Sequence, residues 1–284
     1  MTELHFAGYQ PARSVHTRGL HALRDSATCH AGNTLSIQVT DSVVSLGRKA
    51  ADLLTMVESG ELDGCYFASS YLAARVPALG IFDAPFQAGS RETVFASLDP
   101  SLADQVAGAT GYRVLGWWDN GIRHISNAVR PIRTPADCTG LRLRTLDNAQ
   151  HQAAFRRCGF VPTFVDVADL ARAVADGSVD AQENPLTNMV NFNLQKHHKH
   201  VSLTGHLLGI ALLLVNCARY DALPAAARAA LDEAARDSEA TQRSLAIAED
   251  AECLRILAEA GVTVLATDDI DLAAFRAAAA GTPV

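Results

Sequence analysis

Between Leu223 and Gly261 the chain holds neither glycine nor proline after Pro224, and Ala, Glu, Asp, Arg and Leu dominate it. Such residues lose little side-chain freedom in a helix, and Gly261 supplies a stop. A continuous helix of ~38 residues would run about 57 Å at 1.5 Å per residue. That exceeds the width of one small lobe, so the stretch predicts a rod that touches two lobes. The alternative is two helices joined by a kink that neither Gly nor Pro marks.

Length points the same way, since 284 residues correspond to roughly two domains. With 49% hydrophobic residues the chain has ample material for a core, which excludes disorder. Lys and Arg number 24 against 31 Asp and Glu, and the net charge of −7 has the wrong sign for a surface that tracks phosphates. Nucleic acid is therefore not an expected partner. The longest apolar stretch, Leu207 to Val215, falls far short of the ~20 residues of a membrane helix, so the protein is not expected to be membrane-embedded. Met1-Thr2-Glu3-Leu4-His5-Phe6 carries neither the basic nor the apolar region of an export signal. Either the protein is cytoplasmic, or it is exported and its signal has been replaced by a starting Met. The six cysteines, at 29, 65, 138, 158, 217 and 253, form no CxxC pair. They read as free or buried thiols, with Cys138–Cys158 the first bridge to test in an oxidising compartment.

A short alternating apolar run at 4–7, the segment 35–39 and an apolar run at 62–68 read as strands, with helix-like stretches at 14–27 and 49–58 between them. The same punctuation returns as strand 141–145, helix 148–158, strand 163–167, helix 169–176 and a short strand at 179–181. Two βαβ-type lobes follow, with binding groups expected in loops at the C-terminal ends of strands.

Motifs for catalysis are absent: no GxSxG, GxxxxGK[ST], HExxH or GxGxxG occurs. Neither an enzyme, a bound cofactor nor a metal is expected. His197, His198, His200 and His206 cluster near Lys196 and Lys199 and read as a solvated helix end rather than a metal site. Arginines carry more information. Arg123 follows the Trp117-Trp118-Asp119-Asn120-Gly121 corner, while Arg142 and Arg144 occupy alternate positions of one strand and share a face. A guanidinium matches a carboxylate bidentately. For Arg142 a structural ion pair is the favoured reading; for Arg144, near the strand's end, anion binding is equally supported. Gln182, Glu183 and Asn184 stand before Pro185 as a polar cluster that either donates to a ligand or caps the following turn.

Five segments then carry a resemblance: IFDAPF (81–86), GIR (121–123), GLRLRT (140–145), VDAQENPL (179–186) and SLTGH (202–206). In order and spacing the chain resembles the DctP-type solute-binding proteins of tripartite ATP-independent periplasmic (TRAP) transporters. The resemblance implies a two-lobed α/β periplasmic binding protein fold, with a long helix spanning both lobes, that closes on an organic acid. It implies lobes of 1–121 plus 207–250 and of 122–206 plus 251–284, a monomer, a periplasmic location with the signal peptide removed, and delivery to small and large TRAP membrane subunits. The alternative is a sensor that presents the same ligand to a signalling partner.

The resemblance also assigns residues. Arg144, ending the LRLR run, is to hold the substrate carboxylate, with Arg123 and Asn184 approaching it. Asp147, Ser69 and Ser70 match other contact positions. Tyr9 and Gln10 fall in the first strand's loop, where GYQPAR departs from the family's HP-rich turn. Trp117, Trp118, Tyr9, Tyr71 and Phe164 are candidates for an aromatic wall, with Val167 and Leu207–Ile210 as apolar lining. The ligand expected is a small monocarboxylate, aromatic or a hydroxy or keto acid.

Overall fold

The computed structural model describes residues 1–32, 34–86 and 90–281. In chain order the elements are β1 (Thr2–Ala7), α1 (Val15–Ala31), β2 (Leu35–Thr40), α2 (Asp52–Ser59), β3 (Gly64–Ala68), α3 (Arg91–Ala96), α4 (Ser101–Thr110) and β4 (Tyr112–Asn127). There follow β5 (Arg142–Thr145), α5 (Ala149–Arg157), β6 (Val161–Phe164), α6 (Val167–Ala175), β7 (Ala181–Pro185) and α7 (Leu186–Asn191). The chain ends with β8 (His200–Asn216), α8 (Cys217–Asp221), α9 (Ala225–Glu259), β9 (Thr263–Leu265) and α10 (Leu272–Ala280).

The chain divides into two compact units. The first comprises Met1–Ala78, Asp99–Asn120 and Ile210–Ala248; the second comprises Leu79–Leu98, Gly121–Gly209 and Glu249–Val284. β4, β8 and α9 each begin in one unit and end in the other. The long Gly- and Pro-free stretch is one helix of 35 residues, not two. The division departs from the sequence expectation at Leu79–Leu98, expected in the first lobe and grouped with the second unit. Phe86 donates its N–H to the His206 carbonyl and stacks on Phe275 at 5.1 Å, and Asn148 Nδ2 donates to Asp83. Positions 33, 87–89 and 282–284 of the expected lobes lie outside the described residues.

In the first unit β1 pairs in parallel with β2 and β3, and β3 pairs antiparallel with the end of β8, from Gly64↔Val215 to Ala68↔Ala211. α1 starts where Ser14 Oγ accepts from the Thr17 N–H at 3.1 Å, a side-chain cap for one of the orphan amides of the first turn. Its apolar face carries Leu20 and Leu23, buried with Leu4, Phe6, Tyr66 and Phe67.

In the second unit β7 lies between β4, antiparallel, and β5, parallel; β5 also pairs with β6 in parallel. Strand β7 is longer and later than the predicted 179–181, because its polar residues complete ladders to β4 and β5. β6 begins two residues earlier than predicted, at Val161, in register with Arg142. Helix α5 is capped by Asn148, whose Oδ1 accepts from the His151 N–H at 3.0 Å. One apolar cluster gathers Ile125, Leu143, Ala181, Phe155, Phe160 and Phe275; another gathers Leu170, Val174, Leu186, Met189 and Leu257. All six cysteines are free thiols, and Cys138 and Cys158 are buried in the first of these clusters.

Candidate functional site

The register of β4, β5 and β7 sorts the second unit's polar residues onto two faces. Residues paired across a ladder share a face, and neighbours along a strand alternate. Ser126 is opposite Gln182, His124 opposite Asn184, and Arg144 opposite Gln182. These side chains therefore project from one face. Ile125 opposite Glu183 and Leu143 opposite Ala181 define the other, which Arg123 joins.

On the second face Arg123 forms a bidentate pair with Glu183, Nε to Oε2 at 2.5 Å and Nη2 to Oε1 at 2.7 Å, and Nη2 also donates to the Glu183 carbonyl. Behind the pair stand His151 Nε2, 3.2 Å from Oε1, and His206 Nε2, 3.3 Å from Oε2. The Glu183 side chain is 0% exposed. Burial alone would raise its pKa, but Arg123, seconded by His151 and His206, holds the carboxyl well below the usual carboxylate range. Burial likewise lowers the pKa of His206 against the pull of Glu183. Phe155 packs edge-on to both imidazoles, at 4.9 Å and 5.3 Å. Gly121, two residues before Arg123, has φ +84°, and a Cβ there would sit 2.5 Å from Pro185 Cβ. Only glycine suits that turn into the arginine.

On the first face Arg144 is 1% exposed, and its Nε donates to the Val165 carbonyl at 2.8 Å, which holds the guanidinium plane. Asn184 Nδ2 donates to Gln182 Oε1 at 2.6 Å, and Asn184 Oδ1 accepts from Asn188 Nδ2 at 3.0 Å. The QEN run thus belongs to a strand, with Gln182 and Asn184 on one side and Glu183 on the other. Period-two alternation held the signal for this split, once 181–185 is read as a strand. Nothing in the sequence pointed to His151 or to the Val165 carbonyl. Arg142 pairs with Asp180 at 2.6 Å, the structural ion pair favoured for it.

Asp147 is exposed in the bend between β5 and α5, and makes no hydrogen bond or ion pair among the described residues. Of the four clustered histidines, His198 and His206 are buried, so the solvated-helix-end reading fails for them: β8 and the turn before it fold these rings inward. Among the described residues no three or more His, Cys, Asp or Glu side chains group as metal ligands.

The remaining candidates lie in the first unit. The backbone N–H groups of Tyr9 and Gln10 donate to the Tyr66 hydroxyl at 3.3 Å and 3.0 Å. Ser69 and Ser70 open the turn after β3, and the buried Ser69 Oγ meets no hydrogen-bond partner among the described residues. Trp118 is 0% exposed, 5.7 Å from Tyr66 and 6.5 Å from His16 between ring centroids, as a core side chain is. Phe164, by contrast, is 42% exposed on β6. His16 is itself fully buried and stacked on Tyr66; burial lowers its pKa to about 3, with Asn120 opposing.

Comparison with known proteins adds three relatives. A family model described as DctP, bacterial extracellular solute-binding protein, family 7, matches residues 6–282. A solute-binding protein of Verminephrobacter eiseniae is 35% identical over 227 residues, 79% of this chain and 67% of its own length. The 2,3-diketo-L-gulonate-binding periplasmic protein YiaO of Escherichia coli is 29% identical over 234 residues, 81% of this chain and 70% of its own. A crystal structure of a TRAP periplasmic solute binding protein from Polaromonas, bound to D-erythronate, superposes with a TM-score of 0.91 at 27% identity, covering 99% of this chain and 92% of the other.

Proposed function

Because the chain belongs to the DctP family of bacterial extracellular solute-binding proteins, we propose that it captures a small organic acid by its carboxylate and delivers it to the membrane subunits of a TRAP transporter. The observation that carries this reading is Arg144: a guanidinium buried to 1% exposure, its plane held through Nε, on the same sheet face as Asn184. A fork of N–H donors in a dry setting matches a carboxylate better than any neutral group, since charge-assisted contacts strengthen as water is removed. Arg123 has a different task, because Glu183 already meets its charge. We assign anion capture to Arg144, with Asn184 as the neighbouring donor and Arg123 as a buried brace. Asp147, Ser69, Ser70, Tyr9 and Gln10 are proposed as further contacts, each weaker than Arg144.

The ligand class follows from one carboxylate-binding arginine beside neutral amides. A monocarboxylate with hydroxyl or keto oxygens satisfies both, and 2,3-diketo-L-gulonate and D-erythronate, named for two relatives, are acids of this kind. Binding without turnover belongs to the same proposal, as does a periplasmic monomer. No helix among the described residues is long and apolar enough to cross a membrane. The decisive experiment is calorimetric titration of wild type and Arg144→Ala with these two acids and succinate. Truncating a buried charge contact costs ~2–5 kcal/mol, roughly 30-fold to several thousandfold in affinity. Affinity retained within about threefold would sink the assignment.

A further inference from the structure

A chain of buried hydrogen bonds runs from Asn184 through Gln182, the residue opposite Arg144, to His198. Asn184 Nδ2 donates to Gln182 Oε1 at 2.6 Å, Gln182 Nε2 donates to Ser126 Oγ at 2.5 Å, and Ser126 Oγ lies 3.0 Å from His198 Nδ1. At the other end Asn188 Nδ2 donates to Asn184 Oδ1. Ser126, Gln182, Asn184 and His198 are all buried. Three strands or turns supply them: Ser126 from β4, Gln182 and Asn184 from β7, and His198 from the turn before β8.

Amides and hydroxyls in series admit two self-consistent directions, one with every N–H or O–H pointing towards the histidine and one with every group reversed. The direction matters at Asn184. In the observed sense its Oδ1 is occupied by Asn188 and one N–H by Gln182, leaving a second N–H to present. Reversal would keep that count but exchange the places, setting Oδ1 on the Gln182 side, where Arg144 stands across the ladder, and there its lone pair would repel a carboxylate oxygen. What selects the direction is the terminal imidazole. A Ser126 hydroxyl that accepts from Gln182 keeps its own proton to give, and a ring protonated at Nε2 takes it at Nδ1, whereas a ring protonated at Nδ1 donates to Ser126 and favours the reverse direction. A neutral ring is required, and burial supplies it: with His197 adding and Asp180 opposing, the pKa of His198 falls to about 4.

We propose that His198, Ser126 and Gln182 are positioning residues that lock Asn184 as a hydrogen-bond donor towards an acceptor oxygen of the bound acid. The inference rests on the ligand-binding reading of Asn184, but its geometry is testable without ligand. Nitrogen-15 NMR of the imidazole rings of the intact, labelled protein at neutral pH is expected to show His198 as the Nε2–H tautomer. An Nδ1–H tautomer overturns the proposal, whatever the protein binds.

Calorimetry with D-erythronate and 2,3-diketo-L-gulonate supplies the second arm. Loss of one neutral link, in Ser126→Ala or His198→Leu, should weaken binding about three- to tenfold. His198→Asn places an amide oxygen near the Nδ1 position and should restore affinity to within about twofold, a rescue that loss of packing would not produce. Full affinity in His198→Leu, or equal losses in His198→Leu and His198→Asn, overturns the relay. Failure of wild type to bind either acid would count against the functional reading instead, and the tautomer measurement would still decide the relay.

Discussion

His16 offers the cleanest test of the electrostatics. Its ring is 0% exposed and stacked on Tyr66 at 5.1 Å. Burial penalises the imidazolium by more than the Asn120 side chain favours it, and the pKa falls from 6.5 to about 3. The folded-state pKa lies below the unfolded one, so the unfolded chain binds more protons between them. Stability linked to this group is therefore complete above pH ~6.5 and is lost progressively as pH falls towards about 3. Between pH 7.5 and pH 5.0 the loss amounts to about 1.5 pH units at ~1.4 kcal/mol each, roughly 2 kcal/mol. Replacing His16 by Phe keeps an aromatic ring against Tyr66 and removes the titration. The larger ring costs some packing energy, but equally at both pH values, so the difference between them is diagnostic. Denaturant unfolding at the two pH values should show wild type losing about 2 kcal/mol more than His16→Phe. Equal losses in the two proteins would refute the argument that His16 is held neutral by its burial.

Two further outcomes follow from the second unit and the cysteines. Glu183→Gln leaves the Arg123 guanidinium buried without its countercharge and should destabilise the protein by about 3–5 kcal/mol in denaturant titration, since one member of a buried pair has been removed; a loss under about 1 kcal/mol would show the pair to be dispensable. Alkylation of the native protein, followed by peptide mass spectrometry, should modify the exposed Cys29 first and spare Cys65 and Cys158, whose thiols burial pushes up to about 12 and about 11, along with Cys138, which is raised as well.

The legible part of this protein was its local grammar. Ser14 and Asn148, each followed by a helical apolar pattern, predicted the starts of α1 and α5, and both serve as caps. Strands β1, β2 and β3 fell within two residues of their predicted positions, because short apolar runs bounded by turn residues are written in the sequence itself. The strands that carry the site were harder. β7 is made of Ala-Gln-Glu-Asn-Pro, and a polar run of this kind reads as a turn until β4 and β5 flank it and satisfy its backbone. Likewise the Trp117–Arg123 corner is continuous strand.

By itself the sequence determined the α/β class, the long helix and the family, because each depends on spacing along the chain. Only the tertiary structure decided what the charges do. Arg123 and Arg144 look equivalent in sequence, yet one is answered by Glu183 with His151 and His206 behind it, and the other has its fork set by the Val165 carbonyl beside Gln182 and Asn184. Glu183 lies 60 positions from Arg123, and the two histidines on its carboxylate come from α5 and β8; such long-range electrostatics depends on distance and burial in space, which local spacing does not record.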